Sequence, residues 1–141
     1  MPQEKDEKKI QELYMQFNMI NQQISEFQKQ IQMLEESINE TNESIKGLNE
    51  ISGLPQNKEI LVPIVSGVFA RAELKDNKEF IVNVGSGTAT SKSSEEVRKL
   101  LEKQLEEMQK SQNSFVDNLH QMTLAAKEIR QNLKNLIENN K

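Results

Sequence analysis

An apolar repeat with alternating spacings of three and four residues constrains the fold of this chain more than any other feature. It occupies two stretches, Ile10 to Leu48 and Leu101 to Leu136. A mean spacing of about 3.5 residues places the repeated side chains along one line of a slightly underwound helix, the pattern of a coiled coil. We call this line the seam. Its members are Ile10, Leu13, Phe17, Ile20, Ile24, Phe27, Ile31, Leu34, Ile38, Thr41, Ile45 and Leu48, then Leu101, Leu105, Met108, Gln112, Phe115, Leu119, Met122, Ala126, Ile129, Leu133 and Leu136.

Two seams of similar length within one chain predict that the two helices pair with each other in antiparallel orientation. Aligning the seams places Ile10 beside Leu136 at one end and Leu48 beside Arg98 at the other. The chain ends then lie together at one end of the helical pair, the tip, and the central segment lies at its base.

The composition agrees with a long helical pair. Apolar residues make up 35% of the chain and aromatic residues 4%, which is little for a compact globule but enough for a seam that needs about two apolar residues in seven. The absence of cysteine excludes disulfides and thiolate metal sites. No apolar run approaches the roughly 20 residues that cross a bilayer, and the charged start lacks the apolar core of a signal peptide. We expect a soluble cytoplasmic protein without a membrane partner.

Charge is distributed unevenly. Residues 1–51 carry ten acidic and five basic side chains, whereas residues 94–141 are balanced. An acidic helix disfavours nucleic acid, whose binding depends on lysine and arginine at the phosphates. We therefore predict no nucleic-acid partner.

Between the helices the apolar period changes from 3.5 to 2. The runs Ile60–Val65, Val68–Leu74, Phe80–Val84 and Thr88–Ser91 predict four short strands that form two hairpins. Lys75-Asp76-Asn77-Lys78 and Gly85-Ser86-Gly87 provide turns.

Isolated hairpins of this size are marginally stable, and their edges offer unpaired backbone groups. We therefore expect this segment to join other subunits. The predicted organisation is an N-terminal coiled-coil helix (1–52), a β-hairpin oligomerisation segment (53–93) and a C-terminal coiled-coil helix (94–141). The fold class is mainly α with a small β part: a long antiparallel two-helix coiled coil with two β-hairpins that contribute to an oligomeric β-barrel.

No residue pattern indicates catalysis. His120, the only histidine, follows seam residue Leu119 and faces outward. The turn Gly85-Ser86-Gly87 lacks the later glycine and Lys-Ser/Thr of a phosphate loop, and paired carboxylates such as Glu35 and Glu36 lie on helix faces without a pocket to raise a pKa. We predict that the protein is not an enzyme and has no catalytic residue, cofactor or metal.

The central motifs resemble those of the archaeal-type α-class prefoldin subunits (the GimC α family). These motifs are Leu61-Val62-Pro63-Ile64, Gly67-Val68-Phe69-Ala70-Arg71-Ala72-Glu73-Leu74 and Phe80-Ile81-Val82-Asn83-Val84-Gly85-Ser86-Gly87. In that family a valine-proline run, a Gly-aromatic-x-x-Ala strand and a Val-Gly-x-Gly turn lie between two long coiled-coil helices. Phe69 departs from the family's common tyrosine, and Thr88-Ala89-Thr90 replaces a more apolar fourth strand.

The resemblance implies an ATP-independent chaperone that is a hexamer of two α-type and four β-type subunits. Its coiled-coil tips capture unfolded polypeptides and deliver them to a group II chaperonin. The family's tip function carries over as a region, the client-binding tip: Leu13, Tyr14, Met15, Phe17, Leu133, Leu136 and Ile137. The expected oligomerisation residues are Val62, Ile64, Val68, Phe69, Ala72, Phe80, Val82 and Val84. The alternative is a structural coiled-coil or filament-forming prefoldin-like protein without client transfer.

Overall fold

Two long helices flank four short strands. A computed structural model describes residues 4–139 of the chain. The elements, in chain order, are α1 (Glu4–Ser52), β1 (Glu59–Val65), β2 (Val68–Glu73), β3 (Glu79–Gly85), β4 (Thr88–Ser93) and α2 (Ser94–Asn139). The predicted fold class of two long helices and two β-hairpins is confirmed. Residues 1–3 of the predicted first helix and residues 140–141 of the predicted second helix lie outside the described residues.

The predicted seam is the apolar core of the helices. Every seam residue named above is buried or half-buried, and Ile38, Leu48, Ala126 and Leu133 are the most buried of all. Even so, none of the described side chains is completely shielded from solvent. Each seam residue is therefore covered by its partner helix on one side only, as expected for a two-stranded coiled coil.

Contacts divide the chain into two compact units, one with residues up to Ser37 and from Met108 onward, and the other with Ile38–Glu107. In the first unit the rings of Phe27 and Phe115 pack at a tilted 53°, with centroids 5.6 Å apart, a favourable arrangement for aromatic pairs. In the second, Arg98 Nε donates a hydrogen bond to Asn49 Oδ1 over 2.9 Å. Asn49 directly follows Leu48, so this contact agrees with the predicted register to within one residue.

The four strands form two separate antiparallel hairpins, β1–β2 and β3–β4. Their registers are identical after a shift of 20 positions: Glu59 pairs with Glu73 as Glu79 pairs with Ser93, and the register shifts beside Ile64 and again beside Val84. Each of these residues is the extra residue of a β-bulge, which bends the strand and increases its twist.

The hairpin turns lie at Ser66-Gly67 and Ser86-Gly87. Gly67 has φ of 79°, and Ser86 and Gly87 have φ of 53° and 72°. The second turn thus has positive φ at both central residues, as in a type I′ turn, whose twist suits a hairpin. The other predicted turn, Lys75–Lys78, connects β2 to β3, which do not pair with each other.

Loop hydrogen bonds tie the hairpins to the end of α1. The Asn77 side chain donates to the Leu54 carbonyl over 2.6 Å, and the backbone amide of Asn57 donates to the Leu74 carbonyl over 2.6 Å. Asp76 Oδ1 accepts from the backbone amide of Lys78 over 2.8 Å, which forms an Asx turn. The connection between the hairpins is thus ordered by its own asparagine and aspartate.

The N-terminus of α2 is capped by a serine side chain. Ser93 Oγ accepts a hydrogen bond from the backbone amide of Glu96 over 3.2 Å, which satisfies one free donor of the first helical turn.

The end of α1 has no left-handed glycine cap. Gly53 donates to the carbonyls of Asn49 and Glu50 over 3.2 Å, but the described glycines with positive φ are Gly67, Gly85 and Gly87. Gly53 thus continues the last turn without adopting the left-handed conformation, and Pro55 prevents the helix from extending.

Removal of the cap is expected to destabilise the protein. Ser93→Ala deletes the acceptor of the Glu96 amide and should lower the free energy of unfolding by about 1 kcal/mol. Denaturant unfolding followed by circular dichroism, at one fixed protein concentration, measures the change. Ser93→Thr keeps the hydroxyl and serves as the control; equal losses in both variants would show that the cap is not the cause.

The packing of Phe115 on Phe27 gives a second stability prediction. Phe115→Ala removes a half-buried ring and its aromatic partner contact, and should lower the free energy of unfolding by about 2 kcal/mol. The adjacent Val116→Ala is the matched control, because Val116 is exposed and alanine favours the helix. Its effect should remain below about 0.5 kcal/mol, and similar losses from both substitutions would contradict this packing.

Candidate functional site

A groove between the start of α1 and the end of α2 is the first candidate site. It has a volume of about 380 Å³, and we call it the tip groove. Its lining residues are Tyr14, Phe17, Arg130, Leu133, Lys134, Ile137 and Glu138. All seven belong to the same compact unit.

The groove forms because apolar side chains occur next to the seam as well as on it. Tyr14 and Ile137 lie one position beyond seam residues Leu13 and Leu136, and they remain 48% and 40% exposed. Leu133, at 6% exposure, is a buried seam residue in the groove lining. The result is an apolar strip open to solvent and continuous with the packed seam.

The predicted tip residues fall into three groups. Tyr14, Phe17, Leu133 and Ile137 line the groove together. Leu13 and Leu136 are half-buried in the seam outside it, and Met15 is exposed on another part of the α1 surface. Their role in client binding stays a prediction.

Sequence reasoning missed the charged lining of the groove. Arg130, Lys134 and Glu138 follow one another at spacings of four residues, beside Leu133 and Ile137. This spacing aligns side chains along one face of a helix and could have identified them.

The second candidate site is the apolar surface of the hairpins. Of the predicted oligomerisation residues, Val62, Ile64, Val68, Phe69 and Val84 are exposed, whereas Ala72, Phe80 and Val82 are half-buried. Their part in oligomerisation stays a prediction.

Three further apolar residues of the hairpins are exposed but were not among the predicted oligomerisation residues. They are Leu61, Val65 and Ile81, and Ile81 is 77% exposed. Ile81 lies on the opposite face of β3 from Phe80 and Val82, so this strand is apolar on both faces. Strands that are apolar on both faces are typical of sheets covered on both sides.

The single chain leaves an unusually large surface uncovered. Its accessible area is 11086 Å², whereas a compact monomer of 16.2 kDa exposes roughly 7,500 Å². Much of the exposed apolar area lies on the hairpins, where Phe69 remains 57% accessible. Such patches mark surfaces of interaction.

The described residues contain no candidate metal site. Within residues 4–139 there is no group of three or more histidine, aspartate or glutamate side chains that could hold a metal ion. His120 is exposed on α2. Over the same residues, no helix combines the length and apolar character needed to span a membrane.

A coiled-coil helical pair that carries two β-hairpins with exposed apolar faces defines a class of subunit that works in an assembly. Similarity to known proteins identifies this class. Residues 20–139 match the family described as "Prefoldin subunit", and the chain belongs to this family of chaperones. It is an α-type subunit, as the following relatives show.

The prefoldin subunit alpha of Thermofilum pendens is 33% identical over 87 residues, which cover 62% of this chain and 67% of the relative. The prefoldin subunit alpha 1 of Thermococcus kodakarensis is 31% identical over 102 residues, covering 72% and 70% of the two chains. Among solved structures, a chain of the filamentous prefoldin from Methanocaldococcus jannaschii has the same fold, with a TM-score of 0.73 at 18% identity; the match covers 81% of this chain and 94% of that one.

The family assignment confirms the predicted resemblance. Prefoldins are chaperones and not an enzyme family, and their chains work in oligomers with other prefoldin subunits.

Proposed function

We propose that this chain is the α-type subunit of a cytoplasmic hexamer, with two α-type and four β-type subunits, that captures unfolded polypeptides and passes them to a group II chaperonin without ATP. The observation that supports capture is the tip groove. It is an open groove of about 380 Å³ lined by Tyr14, Phe17 and Ile137, of which Tyr14 and Ile137 are exposed.

Capture at several tips explains how shallow grooves can hold a client. An open groove of about 380 Å³ buries only a few client side chains, so each contact is weak. When several tips of one assembly hold the same chain, the later contacts form at high effective concentration and the overall retention rises. Each single contact still breaks rapidly, which permits release to the chaperonin.

The exposed hairpin faces support assembly with other subunits. Val68, Phe69 and Ile81 are large apolar side chains on strands that leave free edges. Strands of a neighbouring subunit would pair with these edges and cover the apolar faces. The unpaired backbone groups would then be hydrogen-bonded and the exposed apolar side chains buried.

The assembly proposal predicts the effect of two hairpin substitutions. Phe69→Ser with Ile81→Ser should prevent formation of the hexamer with a β-type subunit, because both side chains would lie in the covered surface. Multi-angle light scattering of the mixed subunits measures the mass. The control is Met33→Ser with Val116→Ser, which replaces two exposed apolar side chains of the helices and should leave the hexamer intact.

The same measurement separates the chaperone from a filament-forming structural protein. A hexamer that forms only on mixing with the β-type subunit supports the proposal. Open-ended growth of this chain alone would contradict it and favour a filament.

The capture proposal predicts the effect of substitutions in the tip groove. Tyr14→Ser with Ile137→Ser should reduce the suppression of client aggregation at least about threefold, since two contact side chains are lost at every α-type tip. The assay is light scattering of a denatured client diluted into the assembled protein without nucleotide. The Met33→Ser, Val116→Ser assembly is the matched control, and an equal loss in both assemblies would show that the tip groove is not the site.

A further inference from the structure

The tip groove continues along the helical pair into a second groove of about 460 Å³. The two share Phe17 and Arg130 in their linings. The further lining residues of the second groove are Asn21, Ile24, Gln28, Thr123, Ala126 and Lys127. Ala126 is the smallest apolar side chain of the second seam, and its size leaves room for the groove at this point.

The charges of the combined groove come from α2 alone. Lys127, Arg130 and Lys134 oppose the single carboxylate of Glu138, whereas the α1 lining consists of Tyr14, Phe17, Asn21, Ile24 and Gln28. The groove is thus positive within a chain of net charge −4 and beside a helix with twice as many acidic as basic residues. The positive charge of the groove is therefore a local feature, opposite in sign to the net charge of the chain.

The three cations are also unpaired. Lys127, Arg130 and Lys134 share one helix face, with spacings of three and four residues. Among residues 4–139, no carboxylate lies within ion-pair distance of any of them. Neighbouring like charges repel each other, and an acidic ligand would relieve that repulsion.

We propose that the combined groove selects unfolded segments in which a short apolar run is flanked by aspartate or glutamate. The inference rests on the proposed capture function and specifies its client class. Apolar side chains of the segment would cover Tyr14, Phe17 and Ile137, while its carboxylates would reach Arg130 and Lys134. Arginine suits this role because its planar guanidinium binds a carboxylate with two parallel hydrogen bonds.

The length of the groove sets the length of the segment. Residues 123–137 of α2 extend about 21 Å at 1.5 Å per residue. An extended chain covers this distance with about six residues. A run of four apolar residues with acidic residues on either side therefore matches both the apolar strip and the cations beside it.

Binding of three labelled peptides to the assembled hexamer tests the inference by fluorescence anisotropy. The peptides share one apolar core and carry aspartate, serine or lysine flanks. At low ionic strength the aspartate-flanked peptide should bind on the order of tenfold more tightly than the lysine-flanked one. High salt should reduce that ratio towards one, because it screens charges at exposed sites.

A matched pair of charge variants locates the effect. Arg130→Gln with Lys134→Gln should reduce the ratio of the affinities for the aspartate-flanked and lysine-flanked peptides to below about twofold. Lys99→Gln with Lys103→Gln removes the same charge from exposed positions of the same helix and should preserve it. Circular dichroism verifies that both variants retain their helices.

The outcomes distinguish the inference from the capture function on which it rests. Equal binding of all three peptides would overturn the charge selectivity and leave capture intact. Failure of every peptide to bind would overturn capture itself. Equally tight binding of an aspartate-rich peptide without an apolar core would show that the groove recognises acidic surfaces, and would overturn the proposed client class.

Discussion

The pairing of α1 with α2 along the seam is the interaction on which the rest of the structure depends. A helix of this length with one apolar line is not stable alone in water, because most helical stability in proteins comes from packing of the apolar face. The seam provides that packing but does not form a fully buried core, since even Leu133 and Leu48 keep some exposure to solvent. The side chains that stay exposed for other contacts lie just outside the seam, as Tyr14 and Ile137 do.

The hairpins are attached to the ends of both helices, and their apolar faces remain exposed in the single chain. The hydrogen bonds from Asn77 to Leu54 and from Ser94 to Lys78 attach the strands to both helix ends. These bonds fix where the hairpins stand without covering Phe69 or Ile81. The helix ends thus hold two hairpins with exposed apolar faces, which is consistent with a family whose subunits form oligomers.

The features that were predictable from the sequence are local or strictly periodic. The seam, the Ser93 cap and the two hairpins follow from spacing, capping and turn chemistry that operate over a few residues. The charged lining of the tip groove was not predictable in this way, because whether Arg130 faces solvent or a groove depends on the partner helix. Ile81 was missed because alternation identifies one covered face, whereas this strand is apolar on both. The Lys75–Lys78 turn was recognised, but only the pairing of the strands shows that it joins two hairpins.

The two hairpins have identical registers, which limits the differences by which a pairing strand from another subunit could distinguish them. Because β1–β2 and β3–β4 share pairing and bulge position, their backbones offer an incoming strand the same sequence of donors and acceptors, apart from the N–H that Pro63 lacks and Asn83 has. A strand that paired with either hairpin would therefore distinguish them mainly by side chains, which are Val68 and Phe69 on one hairpin and Thr88 and Ala89 at the equivalent positions of the other. The chain thus presents one strand-pairing geometry twice, once with large apolar side chains and once with small ones.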